Sequence, residues 1–244
     1  MNSKKEIYKN ITFILSHTSH PGNIGAAARA MKTMGFNKLT LLCPEKFPHS
    51  EADALASGAT DILEKAKVFT NIEEALAHNN IIVGFTARRR ELTQAHLSSD
   101  EVAKKIIKLG ITNKIGLFFG NETSGLSNDE IQHCHYLGYI DANKSYSSLN
   151  LSQAVQVIAY ALRQEINLKE FNITAKERAI ASFAEQNGFY AHLEDTLKNL
   201  ELYDEVQGKR LMHRIRLMFN RIQMDKDEVN ILRGILNQIN KKID

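Results

Sequence analysis

Long apolar runs are missing from this chain, and so is any cysteine framework. The polar first ten residues carry Lys4, Lys5 and Lys9 and lead into only a short apolar run, a pattern that excludes a signal peptide or a membrane span. Only two cysteines occur, Cys43 and Cys134, far apart and each in an ordinary segment, so a disulfide scaffold is excluded and a reducing, cytoplasmic setting is expected. An excess of one charge is also lacking. The 31 Lys and Arg against 28 Asp and Glu leave a net charge of +3, too little to mark a nucleic-acid binder by itself. There is no GxGxxG, no GxxxxGK, no Ser-His-Asp order, no internal repeat and no low-complexity tract. His133-Cys134-His135 is the nearest approach to metal chemistry, but neighbouring positions on a helix point in different directions and no further Cys/His pair stands at ligand spacing. It reads as packing and surface, and no metal is expected.

What the chain does have is rhythm. With 43% hydrophobic and 24% charged residues it falls in the range of ordinary globular proteins, and 244 residues can bury a real core. Short apolar runs of strand length stand at Ile11 to Ser16, Lys38 to Cys43, Ile81 to Phe85, Lys114 to Phe119 and Tyr136 to Ile140. Helical patterns separate most of them, so the spacing predicts an α/β fold with a largely parallel sheet. Helix starts are expected at Asn71, Ser98 and Ser127, each three residues before a glutamate, and stops at Gly35 and Gly110. A helix from Leu149 to Leu168, apolar on two stripes, closes the first domain. Beyond it the strand pattern vanishes, and helices are expected at Thr174 to Gln186, Phe189 to Leu200, Lys209 to Gln223 and Lys226 to Lys242. The division is therefore 1–168 for the α/β domain and 169–244 for an all-helical extension.

Three loop segments could carry chemistry. The first, His20 to Arg29, joins the first strand to the first helix after it. Its small residues Gly22, Gly25 and Ala26 to Ala28 suit close approach at a helix N-terminus, where an anion is favoured, or simply a tight turn and close helix packing. Arg29, on an otherwise apolar helix surface, calls for an anionic partner. The second, Phe119 to Ser127, places Gly120 and Gly125 around Asn121 to Ser124 at a strand's C-terminal end, where α/β sheets put ligands and also many plain connections. The third, Ser145 to Ser152, crowds Ser147, Ser148, Asn150 and Ser152 together, which exceeds the need of one helix cap. These groups suit a ribose or an amino-acid carboxylate, or loop backbone.

Two basic clusters stand out: Arg88, Arg89 and Arg90, and five Lys or Arg without an acid between Lys209 and Arg221, among them Lys209, Arg210 and Arg214. Solvated surface is the ordinary reading of such runs. A dinucleotide oxidoreductase is a rival from another class, since a glycine-bearing turn follows the first strand and Glu45 stands about 20 residues beyond Gly25. The turn is GxxG instead of GxGxxG, which weakens that case.

Together the three segments resemble the motifs of SPOUT methyltransferases: Asn23-x-Gly25-x-x-x-Arg29, Phe119-Gly120-x-Glu122-x-x-Gly125-Leu126, and Ser148-Leu149-Asn150-x-Ser152. The stretches TSHPGNIGAAARAMKTMGF, SYSSLNLSQAVQVIAY and EVNILRGIL are similar to the bacterial TrmJ family, and the likeness runs from about Ile11 to Ile239. The resemblance implies a sheet whose C-terminal segment is threaded into a trefoil knot, which topology rules alone would exclude. It implies S-adenosylmethionine as cofactor, held by Phe85, Thr86, Ala87, Gly120, Ile140, Ser147, Ser148 and Leu149. Phe85 stands where that family usually has a small or polar residue. It further implies a homodimer and methylation of a ribose 2′-hydroxyl on a pyrimidine, C32 or U32, in a tRNA anticodon loop, with Arg29, Asn23, Glu122, Ser148 and Asn150 as the catalytic set. On this reading Arg29 clamps a phosphate and stabilises the developing alkoxide, Ser148 and Asn150 orient the ribose, and Glu122 holds the arginine or its loop. Arg88 to Arg90, Lys209, Arg210 and Arg214 become contacts to the tRNA backbone. A knotted RNA-binding protein without catalysis, or another RNA as substrate, is the alternative within this family.

Overall fold

The computed structural model describes residues 2–87, 96–143, 145–168, 178–203 and 207–243. The elements run α1 (Asn2–Asn10), β1 (Ile11–Ser16), α2 (Pro21–Met34), β2 (Leu39–Leu42), α3 (Ser50–Ala56), α4 (Thr60–Glu64), β3 (Lys67–Phe69), α5 (Ile72–Leu76), β4 (Ile81–Phe85) and β5 (His96–Ser98). They continue with α6 (Ser99–Leu109), β6 (Ile115–Phe119), α7 (Asn128–Ile131), β7 (Tyr136–Tyr139), α8 (Leu151–Leu168), α9 (Phe183–Asn199), α10 (Gln207–Ile222) and α11 (Lys226–Ile243). A 3-10 turn at Ser57–Ala59 joins α3 to α4.

The sheet has the order β3-β2-β1-β6-β4-β7-β5 and every ladder is parallel. Parallel strands are covered on both faces, and alternation along β1 shows how. Phe13 and Leu15 point into one core layer with α2, α6 and α8, whereas Ile14 points into the other with Leu76, Ile131 and Leu137. All five expected strands form. β3 and β5 were not legible in the sequence, because each is a three-residue edge strand, too short for a period, and β3 is largely exposed.

Local signals set the helix ends. Pro21 occupies the first turn of α2, and Gly35 closes it in the left-handed region at φ +91°, as expected of a glycine stop. Asn71 accepts from the Glu74 amide, and Ser98 and Ser127 form reciprocal capping boxes with Glu101 and Glu130. Gly25 is required by packing. A Cβ there would stand 2.0 Å from the Ala52 carbonyl oxygen, so α2 and α3 touch backbone to backbone.

One expectation fails in part. Of the helix predicted over Thr174 to Gln186, Arg178 to Ser182 is not helical, and Phe183 to Gln186 instead open a single helix that runs to Asn199. The cause is a further capping box, Ser182 with Glu185, which starts α9 later, while the strand-like segment before it is used for docking. Ile180 donates its amide to Asn113 Oδ1 and accepts from Asn80 Nδ2, and Phe183 donates to the Asn79 carbonyl. Ala181, Phe189, Tyr190, Met212, Met224, Val229 and Leu236 make a separate small core after residue 180. No helix among the described residues is long and apolar enough to cross a membrane.

Candidate functional site

The C-terminal ends of β1, β4, β6 and β7 lie on one end of the sheet, and the loops that leave them supply the three segments singled out above. In register, Leu15 pairs with Phe119 and Phe119 with Phe85, so the loops after β1, β6 and β4 begin side by side. Parallel α/β sheets place their ligands at this end.

The loop after β6 is shaped by its glycines. Gly125 adopts φ +67° and donates to the Asn121 carbonyl at 2.8 Å, folding the segment back on itself. A Cβ on Gly120 would lie 2.2 Å from the Gly125 carbonyl carbon and the Leu126 nitrogen, so only glycine fits. The closed loop presents Glu122 to the first segment. Its Oε2 accepts from Ser19 N at 3.1 Å and Ser19 Oγ at 3.0 Å, and its Oε1 from His20 N at 3.3 Å and Asn23 Nδ2 at 2.9 Å. Asn23 Oδ1 in turn accepts from Asn150 Nδ2 at 2.9 Å, and Asn150 Oδ1 accepts from Ser152 N and Oγ at 2.9 and 2.7 Å. A single hydrogen-bonded chain thus ties all three segments together. Partial burial would raise the Glu122 pKa, but the hydrogen bonds from Asn23, Ser19 and His20 outweigh it and hold the carboxyl below its ordinary value.

Beside this chain lies a cavity of about 450 Å³, within the usual range of roughly 300–1,000 Å³ for small-molecule sites. Phe85, Thr86, Ala87, Gly120, Ile140, Ser147, Ser148 and Leu149 all line it, as does Glu122. Asn23, Asn150 and Arg29 do not line it. Its walls also include Tyr139, Tyr146, Leu151 and Ala154, which sequence reasoning missed; Leu151 and Ala154 were visible only as stripes of the last domain helix. The Phe85 ring is buried, stacks on Phe119 at a centroid distance of 4.6 Å, and sits over Gly138, where a Cβ would come within 2.6 Å of it. A large residue fits at position 85 because Gly138 makes room for it.

Two expectations about the first segment change. Gly22 and Gly25 are not open to a ligand, since a Cβ on Gly22 would meet Glu51 and Leu55 of α3 at 2.7 Å and Gly25 is filled by α3 backbone. The anion drawn to the start of α2 is the chain's own Glu122, whose partners include the Ser19 and His20 amides ahead of the helix. Arg29 is not held near buried surface. It is exposed, with no hydrogen bond or ion pair to any described residue, because the buried faces of α2 are taken by Gly22, Gly25, Ala27 and Ala28. Glu122 therefore holds the loop and not the arginine. Ser19, which no pattern flagged, supplies two of the donors to Glu122.

Of the basic candidates, Lys209, Arg210 and Arg214 are exposed on α10, as is Arg221. Arg216 is turned inward, with its guanidinium 4.5 Å from the Tyr190 ring centre and 3.0 Å from Asn187 Oδ1. Arg88, Arg89 and Arg90 lie outside the described residues. His133 and His135 are buried as packing groups where the extension meets the domain. Both titrate at about 4, depressed first by burial and, for His133, next by the Arg216 cation.

Residues 10–160 match the model of the SpoU rRNA Methylase family, and residues 184–244 match the model of the C-terminal domain of the tRNA methyltransferase TrmJ. The tRNA (cytidine/uridine/adenosine-2′-O-)-methyltransferase TrmJ of Pseudomonas aeruginosa is 40% identical over 241 residues, covering 95% of this chain and 94% of that protein. The tRNA (cytidine/uridine-2′-O-)-methyltransferase TrmJ of Citrobacter koseri is 41% identical over 237 residues, covering 96% and 98%. Among solved structures, TrmJ from Z. mobilis superposes with a TM-score of 0.84 at 27% identity, covering 94% of this chain and 98% of that one.

Proposed function

The chain belongs to the SpoU rRNA Methylase family, and from that premise we propose that it is an S-adenosylmethionine-dependent tRNA ribose 2′-O-methyltransferase acting on the pyrimidine at position 32 of the anticodon loop. The observation that carries the reading is the chain Asn150–Asn23–Glu122, which fixes the three loops at the mouth of one cavity. The cavity fits the cofactor: Phe85, Ile140, Leu149 and Leu151 offer apolar wall, and Ser147, Ser148 and Thr86 offer hydroxyls. When bound, S-adenosylmethionine supplies an electrophilic methyl group on a sulfonium.

The protein's part is positioning and charge. Glu122, kept ionised by its donors, fixes the loop of Ser19, His20 and Asn23 and is not free to act as a base. Asn150 gives its oxygen to Ser152 and its amide to Asn23, so it orients Asn23, and Ser148 on the cavity wall is the group placed to orient the ribose. Arg29 is an unengaged cation suited to fork onto an RNA phosphate and to stabilise the developing alkoxide. The threaded C-terminal segment belongs to the same proposal, supported by Tyr139, Ile140 and Ser145 to Leu149 lining the cavity with the loops after β4 and β6. So does the division at 168/169, with the helical extension contacting tRNA through Lys209, Arg210 and Arg214, and with Arg88 to Arg90 as further backbone contacts. We take the working unit to be a homodimer; exposed Tyr146 and Leu149 at the cavity mouth support this.

The test is to incubate the protein with S-adenosylmethionine and unmodified tRNA transcripts, digest the RNA and search for 2′-O-methylated nucleosides by mass spectrometry, with Arg29→Ala alongside. A 2′-O-methylpyrimidine from position 32 that disappears in the variant supports the reading. Cofactor binding without methylation of any tRNA overturns it.

A further inference from the structure

β1 ends at Ser16, and the next residue, His17, takes a left-handed backbone conformation at φ +50° although it is not a glycine. Both of its backbone groups are fixed, the amide donating to the Leu42 carbonyl at 2.7 Å and the carbonyl accepting from Asn121 Nδ2 at 2.6 Å. The side chain is fixed as well. Its Nδ1 lies 2.8 Å from Ser16 Oγ, and Ser16 Oγ donates to Glu130 Oε1. Serine has one hydroxyl proton, and here it goes to the carboxylate, so Ser16 Oγ accepts from His17 Nδ1–H. In the neutral imidazole that bond sets the tautomer and leaves Nε2 with a lone pair.

Ser16 and Glu130 are buried, whereas 57% of the His17 side chain is exposed. Glu130 is itself braced, its Oε2 accepting from Ser127 N at 2.7 Å. A buried carboxylate and hydroxyl thus aim an imidazole outward. The fold has no need of it, since Ser16 and Glu130 satisfy each other and an exposed ring adds little packing. Its place is informative: Asn121, which holds the His17 carbonyl, is cavity wall, and two residues on Ser19 binds Glu122.

We propose that His17 contacts the RNA substrate, its Nε2 accepting a hydrogen bond from the 2′-hydroxyl of a nucleotide beside the target. The proposal rests on the reading of the chain as an RNA ribose methyltransferase. An acceptor facing solvent selects a donor; phosphate oxygens offer none, whereas every ribose offers a 2′-hydroxyl, the group that separates RNA from DNA. Ser16 and Glu130 are positioning residues that hold the ring.

The experiment measures tRNA affinity by fluorescence anisotropy, KM and kcat by methyl transfer, and Tm, for the wild type, His17→Phe and His17→Gln. His17→Phe should weaken tRNA binding and raise KM about three- to tenfold, the worth of one hydrogen bond, with kcat, cofactor affinity and Tm held. His17→Gln, which keeps an acceptor, should recover most of the loss. A scan of single 2′-deoxy substitutions through the anticodon loop should find one position beside the target that weakens wild-type binding by a similar factor and leaves His17→Phe unaffected. Unchanged binding by His17→Phe, or a deoxy scan identical for both proteins, overturns the contact even if methylation is normal. A wild type that binds tRNA without methylating it overturns the transferase reading instead, and the binding scan still decides the role of His17.

Discussion

Asn150 donates its side-chain amide to the side-chain oxygen of Asn23 at 2.9 Å, joining two residues 127 positions apart in the chain. Asn23 then passes its own amide to Glu122 at 2.9 Å. Removing the middle member should uncouple the loops without emptying the cavity. Asn23→Ala is expected to slow single-turnover methyl transfer by about ten- to a hundredfold, the worth of a hydrogen bond to a charged group, while cofactor affinity by calorimetry stays within about twofold.

Arg29 offers the opposite combination, exposure and no partner among the described residues. Arg29→Ala should leave unfolding free energy within about 0.5 kcal/mol of wild type, as for surface changes generally, and abolish methylation. Arg29→Lys keeps the charge but loses the fork, so partial activity with weakened tRNA binding is expected. A stability loss as large as the activity loss would remove Arg29 from the functional set.

The loop after β6 has no room for a methyl group at Gly120, where a Cβ would press on backbone at 2.2 Å. Gly120→Ala should destabilise by roughly 1–3 kcal/mol, the range for overpacking, and eliminate cofactor binding. Gly58→Ala is the control. Nothing lies within 4 Å of a Cβ there, and chemical denaturation should show no loss.

Acid should loosen the junction between the sheet and the extension. His133 and His135 titrate at about 4 in the folded protein and near 6.5 when unfolded, so the unfolded chain binds more protons between those values. Their contribution is fully present above about pH 6.5 and is lost as pH falls toward 4. Tm measured across this window should decline, and a His133→Gln/His135→Gln double variant should show a shallower decline.

The sheet was legible because its central strands are short apolar runs separated by capped helices, and Asn71, Ser98 and Ser127 act as their spacing says. Edge strands β3 and β5 were hidden by their length. Ser182 was passed over as a cap because the apolar positions before it continue a plausible helical period, and only contacts to Asn79, Asn80 and Asn113 reveal that segment as extended. At the site, the family resemblance named residues that line the cavity, but nothing in the sequence gave the pairing of Asn23, Glu122 and Asn150. That Glu122 serves Ser19 and Asn23, and that Arg29 stands alone, depends on which face of α2 is buried against α3.

The docking segment after α8 holds the N-terminal ends of strands, Asn79 and Asn80 before β4 and Asn113 before β6, and α10 adds Asn220, which donates to the Cys134 carbonyl before β7. The cavity opens at their C-terminal ends. About five residues of strand, at roughly 3.3 Å each, separate the two by some 17 Å. The bonds that hold the extension and the cavity therefore lie at opposite ends of the same strands.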